Sequence, residues 1–153
     1  MNHSIFKKYD IRGIVGQDFT PQDAESITKG ILTHLLSKDP GLTSIAVGMD
    51  GRVHSPEIHE IIVQTIADMG IDVVDLEVCP TPILSLVLFT TSTTTGLMVT
   101  ASHNPAQYNG IKIFHATKAV WGSEIEQIKK LVENKTFISP SAVTGSISEH
   151  DAI

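Results

Sequence analysis

The chain has 153 residues, of which 41% are hydrophobic and 18% charged, a composition typical of one folded globular domain. Seventeen acidic residues against 11 basic ones give a formal net charge of −6, which argues against nucleic acid as a partner. The sequence has no apolar run of the roughly 18 residues that a membrane span needs, its first residues lack the apolar core typical of a signal peptide, and it has a single cysteine, Cys79. We therefore expect a cytoplasmic protein that does not enter a membrane.

Short apolar runs alternate along the chain with amphipathic segments. Apolar residues that recur every three to four positions predict helices, and short continuous apolar runs predict buried strands. Thr20-Pro21 predicts a helix start with Thr20 as cap and Pro21 at the first helical position, and Ser55-Pro56-Glu57 predicts the start of a second helix. The predicted elements are extended pieces within 5–15, a helix over 20–37, a strand over 44–49, a helix over 55–69, a strand over 71–78, a helix over 83–89, strands over 96–101 and 110–115, and a helix over 122–133.

The alternation of strands and helices predicts a three-layer α/β/α domain with a mixed, mainly parallel sheet. The strand over 110–115 follows its neighbour through a short loop, so we expect that pair to be antiparallel. Residues 136–153 are polar and rich in serine, and they are predicted to be a linker or an unpaired strand with little to bury. Residues 1–135 are then the predicted domain.

The most informative stretch is 96–113, where an apolar strand turns abruptly into loop residues that begin with Ser102. Asn109-Gly110 is a hairpin signal. A serine hydroxyl is thus expected on a tight loop at the C-terminal end of a buried strand, where open α/β sheets bind their ligands. One interpretation makes Ser102 a phosphoryl carrier or nucleophile, with Lys112 nearby. The other is an ordinary strand-loop-strand turn, because turns favour serine, asparagine and proline.

Two arginines also allow two interpretations each. Arg12 is either an ordinary solvated or ion-paired loop residue, or a phosphate ligand whose planar guanidinium grips two oxygens at once. Asp50 and Arg52 either form a surface ion pair that contributes little, or help shape a binding cleft, because their loop also follows a predicted strand. Spacing alone does not decide between them.

Four segments resemble, in the same order, those of the α-D-phosphohexomutases, which include phosphomannomutases, phosphoglucomutases and phosphoglucosamine mutases. They are Phe6-Lys-Lys-Tyr-Asp-Ile-Arg-Gly13, Val47-Gly-Met-Asp-Gly-Arg52 with Ser55-Pro56, Pro80-Thr-Pro82, and Thr100-Ala-Ser-His-Asn-Pro105 followed by Tyr108-Asn-Gly-Ile-Lys112. The last of them looks like the active-serine loop of these enzymes. The resemblance covers residues 6 to about 115 and involves only the first domain of the family.

This resemblance implies that Ser102 carries a phosphoryl group between C1 and C6 of a hexose, with hexose 1,6-bisphosphate as intermediate and activator. It implies that Arg12 and Lys112 act on the transferring phosphate, and that His103 contacts the substrate or the phosphate. Substrate contacts are implied for four further residues: Tyr9, Arg52, Asn104 and Asn109. The phosphate on Ser102 would also bind Mg²⁺, but the Asp-Gly-Asp-x-Asp-Arg metal loop that the family carries in its second domain has no match in this sequence.

We therefore expect the first domain of a longer phosphomannomutase/phosphoglucomutase, with mannose or glucose 1- or 6-phosphate and the remaining domains of the enzyme as partners. The isolated chain is expected to fold but to have negligible mutase activity. A non-catalytic phosphosugar-binding or assembly module is the alternative. A Ser-His-Asp hydrolase would require a Gly-x-Ser-x-Gly elbow, whereas this chain has Thr-Ala-Ser-His-Asn. Mannose and glucose both remain open, because the sugar-selective residues are expected in the third domain.

Overall fold

Strands and helices alternate along residues 1–150, the part of the chain that the computed structural model describes. A short 3₁₀ helix, His3–Ile5, precedes them. The strands are β1 (Ile11–Ile14), β2 (Ser44–Met49), β3 (Asp72–Val78), β4 (Gly96–Val99), β5 (Tyr108–His115), β6 (Lys118–Ala119) and β7 (Ile147–Glu149). The helices are α1 (Asp23–Lys38), α2 (Ser55–Asp68), α3 (Thr81–Thr90) and α4 (Ser123–Glu133).

All seven strands of residues 1–150 belong to one sheet, in the order β1-β5-β4-β2-β3-β7, with β6 paired to β5. The pairs β4–β2, β2–β3 and β3–β7 are parallel. The strand β5 is antiparallel to each of its three partners, β1, β4 and β6. The six strands other than β5 therefore all run in one direction, and β5 runs in the opposite direction. The predicted mixed, mainly parallel sheet is confirmed.

Helices cover both faces of this sheet, which confirms the three-layer arrangement. On one face, α1, α2 and α4 pack over apolar residues such as Val47 of β2 and Ile111 of β5. On the other face, α3 packs Leu84 and Leu88 against Met98 of β4. Successive side chains of a strand point to opposite faces of the sheet. Because helices cover both faces, β2 and β4 bury nearly all of their side chains, which explains their continuous apolar sequences. No helix within residues 1–150 combines the length and apolar character needed to cross a bilayer.

Asn109 and Gly110 do not form a hairpin turn, so that prediction is wrong. Both residues lie inside β5, where Gly110 pairs with Arg12 of β1. A Cβ atom on Gly110 would collide with the backbone carbonyl oxygen of Ile11, so the close approach of β1 requires a glycine there. The chain instead reverses direction over residues 101–107, between β4 and β5. We call residues 100–108 the serine loop.

The serine-rich C-terminal segment contributes a strand to the sheet. Residues 147–149 form β7, which pairs in parallel with the edge strand β3. The interpretation of this segment as an unpaired strand is therefore wrong for these three residues, whereas residues 136–146 contain no helix or strand. The division into a domain over 1–135 and a linker stays a prediction, and residues 151–153 of that linker lie outside the described residues.

Candidate active site

Two loops leave the sheet side by side where the parallel strands β2 and β4 end. Met49 at the end of β2 is paired with Val99 at the end of β4. The first strand continues into residues 50–54 and the second into the serine loop. This edge of an α/β sheet is where such folds bind ligands, because loops from several strands converge there. The serine loop therefore follows the C-terminal end of a buried strand, as the sequence analysis expects.

Ser102 lies in a strained turn at the tip of the serine loop. Its φ angle is +55°, in the left-handed region that non-glycine residues rarely adopt. Its backbone N–H donates to Thr100 Oγ1 at 3.0 Å, and Asn104 N–H donates to the Ala101 carbonyl at 3.1 Å. The Ser102 side chain is exposed, and within residues 1–150 its hydroxyl makes no hydrogen bond, including none to a histidine of the kind a Ser-His-Asp hydrolase requires. The turn thus presents the hydroxyl to solvent.

Arg52 holds the serine loop in this conformation. Its Nη1 and Nη2 atoms donate to four carbonyl oxygens of the loop, those of Ser102 (3.0 Å), Asn104 (2.8 Å), Pro105 (2.7 Å) and Tyr108 (3.2 Å). Its Nε atom donates to Asp50 Oδ2 at 3.1 Å. A guanidinium has five N–H donors, so these bonds use all of them. The predicted substrate contact of Arg52 is therefore not supported by this structure, because no donor is left for a ligand.

Asp50 in turn anchors Arg52. Its Oδ1 atom accepts hydrogen bonds from the Arg52 backbone N–H at 3.1 Å and from the Ser55 hydroxyl at 2.7 Å. Burial alone would raise the pKa of Asp50, but the hydrogen bonds from Ser55, the Arg52 backbone and Thr100, with the Arg52 charge, bring that pKa below its ordinary value. The carboxylate therefore stays ionised at neutral pH. The pair thus holds the serine loop and is not merely a surface ion pair, whereas its role in shaping a binding cleft stays a prediction.

Asn109 lies beneath the loop and not in a cleft. Its side chain is fully buried, its Nδ2 donates to Ser55 Oγ at 2.9 Å, and its Oδ1 accepts from the Gly110 N–H at 2.8 Å. A fully buried side chain cannot touch a substrate, so the structure does not support the predicted substrate contact of Asn109. Asn109, Ser55 and Asp50 instead form a chain of hydrogen bonds that leads to Arg52.

Arg12 brings the first strand to the serine loop. Its Nη1 donates to Asn104 Oδ1 at 2.7 Å, and its Nε lies 3.7 Å from Asp10 Oδ1. The side chain remains 32% exposed, and its Nη2 makes no hydrogen bond within residues 1–150. Arg12 and Asn104 thus lie together beside Ser102, with one guanidinium edge free for an anion. His103 is exposed next to Ser102.

Lys112 and Tyr9 lie at a neighbouring cavity of about 440 Å³ on the α3 face of the sheet. Its lining consists of Tyr9, Thr81, Lys112, Ile113, Phe114, Ala119 and Trp121. Lys112 of β5 is paired with Met98 of β4, the strand that leads to Ser102. The structure therefore separates the predicted residues into two adjoining groups, one on the serine loop and one around this cavity.

The described residues do not fit a Mg²⁺ site on their own. No three His, Cys, Asp or Glu side chains within residues 1–150 are grouped as metal ligands. The Asp50 carboxylate at this end of the sheet is already bound by Ser55 and Arg52. A phosphate on Ser102 would supply one oxygen, whereas Mg²⁺ requires six ligands in octahedral geometry.

Comparison with known proteins shows the family. The family model described as phosphoglucomutase/phosphomannomutase, alpha/beta/alpha domain I, matches residues 3–139. The chain belongs to the phosphoglucomutase/phosphomannomutase family. Its resemblance to the phosphohexomutases is thereby confirmed, and it corresponds to the first domain of these proteins.

Individual members of the phosphoglucomutase/phosphomannomutase family agree with this. The chain is 37% identical over 147 residues to the phosphoglucomutase of Neisseria meningitidis serogroup B, covering 96% of this chain and 31% of that protein. It is 35% identical over 150 residues to the phosphomannomutase/phosphoglucomutase of Pseudomonas aeruginosa, covering 98% of this chain and 31% of that protein. The crystal structure of a family member from Burkholderia thailandensis matches with a TM-score of 0.88 and 30% identity. The match covers 99% of this chain and 34% of that protein. The chain spans about a third of the length of these relatives.

Two features of the site escape the sequence analysis. Ser55 is interpreted there only as a helix start, and no local signal distinguishes that role from a hydrogen bond to Asp50. Trp121 has no assigned role, because its contact with Tyr9 depends on the sheet order. Tyr9 precedes β1 and Trp121 follows β6, and both of these strands pair with β5. The contact between Tyr9 and Trp121 could therefore be found from the sequence only if the order of strands in the sheet were predicted first.

Proposed function

We propose that this chain supplies the phosphoryl-carrying serine of a phosphohexomutase, with Ser102 Oγ as the atom that receives and donates the phosphoryl group. The observation that carries the proposal is the Ser102 hydroxyl, exposed on a turn that Arg52 holds through the loop carbonyls. As phosphoserine, Ser102 would donate its phosphate to a hexose monophosphate, giving a hexose 1,6-bisphosphate. The return of the other phosphate to Ser102 leaves the sugar with its phosphate moved between C1 and C6.

The cations near Ser102 supply the charge that this transfer needs. Arg12 has a free guanidinium edge and would bind oxygens of the transferring phosphoryl group. Lys112 would neutralise the charge of the transferring phosphoryl group or take part in proton transfer. Asn104 and His103 are proposed to contact the phosphate or the sugar, and Tyr9 to line the sugar cleft, whereas Arg52 and Asn109 act by positioning the loop.

The metal and the partners are part of the same proposal. Mg²⁺ would bind one oxygen of the phosphate on Ser102 and take its other ligands from outside the described residues, for which the further domains of the enzyme are the proposed source. Hexose 1,6-bisphosphate is the proposed activator, because it can phosphorylate an unloaded Ser102. Mannose or glucose 1- or 6-phosphate is the proposed substrate, and the cytoplasm the proposed location.

The proposal is tested by incubating the protein with glucose 1,6-bisphosphate and Mg²⁺, followed by intact-mass measurement and peptide mapping. We expect one phosphate on Ser102 and none in the Ser102→Ala variant. The matched control is Ser92→Ala, which removes an exposed serine from the turn after α3 and should be phosphorylated as well as the unmodified protein. Phosphate on another residue would contradict Ser102 as the carrier. No phosphate at all would show that loading requires the further domains, and the same comparison is then made with the longer enzyme.

A further inference from the structure

Two large aromatic rings lie side by side on the surface next to the proposed catalytic lysine. The rings of Tyr9 and Trp121 are stacked, with centroids 5.9 Å apart and an interplanar angle of 18°. They are 62% and 53% exposed, although aromatic rings of this size usually bury most of their surface. Both line the cavity of about 440 Å³ that also contains Lys112. We call it the aromatic cavity.

The backbone and a neighbouring cation hold the aromatic pair in place. The Gly122 N–H donates to the Lys8 carbonyl at 2.6 Å, which ties the segment after β6 to the segment before β1. Lys8 Nζ lies 5.4 Å from the Tyr9 ring centroid and 5.8 Å from that of Trp121. These distances are in the range of cation–π attraction, which favours one arrangement of the two rings. The pair is thus preorganised before any ligand binds.

The polar groups of the aromatic cavity indicate what kind of ligand it suits. Lys112 is half-buried and forms no ion pair with any carboxylate of residues 1–150. In a chain of formal charge −6, such a cation is complementary to an anionic ligand. Thr81 and Tyr9 add hydroxyl groups, while the remaining lining is apolar or aromatic. Small-molecule sites are typically apolar cavities of about 300–1,000 Å³ with a few placed polar groups.

A hexose phosphate combines the features that match this lining. Its ring presents axial C–H groups that can pack on an aromatic face, its hydroxyls suit the hydroxyl groups of Thr81 and Tyr9, and its phosphate is complementary to the charge of Lys112. We propose that Trp121 is a sugar-binding residue, which stacks on the hexose ring while Lys112 faces the anionic group. This inference rests on the proposed function and adds a residue that recognises the ring. Lys112 is paired with Met98, four residues before Ser102, so a sugar bound here lies beside the strand that leads to the carrier serine.

The inference is tested directly by fluorescence, because Trp121 is the only tryptophan in the chain. Titration with glucose 1-phosphate should give a saturable change in tryptophan emission. Glucose and inorganic phosphate, each at the same concentrations, should give much weaker changes, because glucose lacks the anionic group and phosphate lacks the sugar ring. An equal response to inorganic phosphate, or none to glucose 1-phosphate, would overturn ring recognition by Trp121.

Variants provide a second measurement by calorimetry. Trp121→Leu should weaken glucose 1-phosphate binding about five- to tenfold, because it removes the aromatic face, and Trp121→Phe should retain most of the affinity. The matched control is Phe89→Leu, which replaces an exposed aromatic ring of α3 outside the cavity lining and should leave the affinity unchanged. Unchanged binding in Trp121→Leu, or an equal loss in Phe89→Leu, would overturn the inference.

The two proposals fail in different ways. Phosphorylation of Ser102 with a silent Trp121 leaves the carrier role intact and overturns the ring contact. A saturable Trp121 response that is specific for the sugar phosphate, with phosphate on a residue other than Ser102, supports the ring contact and contradicts the carrier role. A response to an unrelated peptide or to protein concentration, but not to the sugar phosphate, would identify the aromatic pair as a protein-docking surface and overturn the inference.

Discussion

Arg52 shows why the residue type matters more than the charge at this site. Its planar guanidinium reaches four carbonyl oxygens of the serine loop and the Asp50 carboxylate at once. A lysine would place the same charge nearby but has only three donors on one nitrogen, which cannot span the loop. The left-handed turn at Ser102 costs of order 1–3 kcal/mol, so it persists only while the surrounding contacts hold it.

We therefore predict that Arg52→Lys loosens the serine loop without unfolding the domain. Amide hydrogen exchange over residues 100–108 should become faster, because loop carbonyls lose their donor, while exchange in the core of β2 stays slow. Global stability should fall by about 1–3 kcal/mol. Arg12→Lys is the comparison, since Arg12 contacts the loop through the Asn104 side chain alone and should disturb it less. Equal loop protection in Arg52→Lys and the unmodified protein would contradict this role.

Elements whose identity depends on local pattern are well predicted from the sequence. The strand at 44–49 has the predicted bounds, and the helices α2 and α4 each begin and end within one residue of the prediction. Each has a regular apolar pattern and a clear start or stop, such as Gly70 after α2, whose φ angle is +83°. The secondary structure and the fold class follow from these local signals.

Elements whose identity depends on distant partners are not predicted. Asn109-Gly110 has the sequence of a turn, but pairing with β1 on one side and β4 on the other places both residues in a strand. The strand β7 has only three residues, all of them exposed, and it forms by pairing with the edge strand β3. In the candidate site, the exposed position of Ser102 is predicted from the loop residues around it. Arg52 and Asn109 are predicted from the sequence to be substrate ligands, whereas their roles in holding the serine loop are not visible there, because their hydrogen-bond partners lie 50 or more residues away.

The close contact between β1 and β5 leads to a testable prediction about how these two strands pack. Gly110→Ala should destabilise the domain by roughly 3 kcal/mol, because the new methyl group collides with the β1 backbone and must move Arg12 away from the serine loop. Urea unfolding measures this directly. The control is Gly51→Ala in the loop after β2, where a Cβ would have no neighbour within 4 Å and should change stability little. Similar losses in both variants would show that the β1 contact is not the cause.

For the whole molecule, the sheet order is what assembles the site. The order β1-β5-β4-β2 brings Arg12, Lys112, Ser102 and Arg52 to neighbouring positions, although Arg12 and its partner Asn104 are 92 residues apart in the chain. The chain is acidic overall, yet Arg12 and Arg52 both contact the serine loop. Within residues 1–150 no three His, Cys, Asp or Glu side chains are grouped as metal ligands, so in the proposed reaction this chain contributes the carrier serine, and the further domains supply the remaining Mg²⁺ ligands.

The most direct test of that account is a single-turnover discharge experiment. Protein phosphorylated on Ser102 is mixed with glucose 6-phosphate in the presence of Mg²⁺ and quenched at intervals, and both the Ser102 peptide and the sugars are analysed. We predict that phosphate disappears from Ser102 at the rate at which glucose 1,6-bisphosphate forms. Phosphate that stays on Ser102, or that leaves it only as inorganic phosphate, would contradict Ser102 as a carrier between the hydroxyls of a sugar.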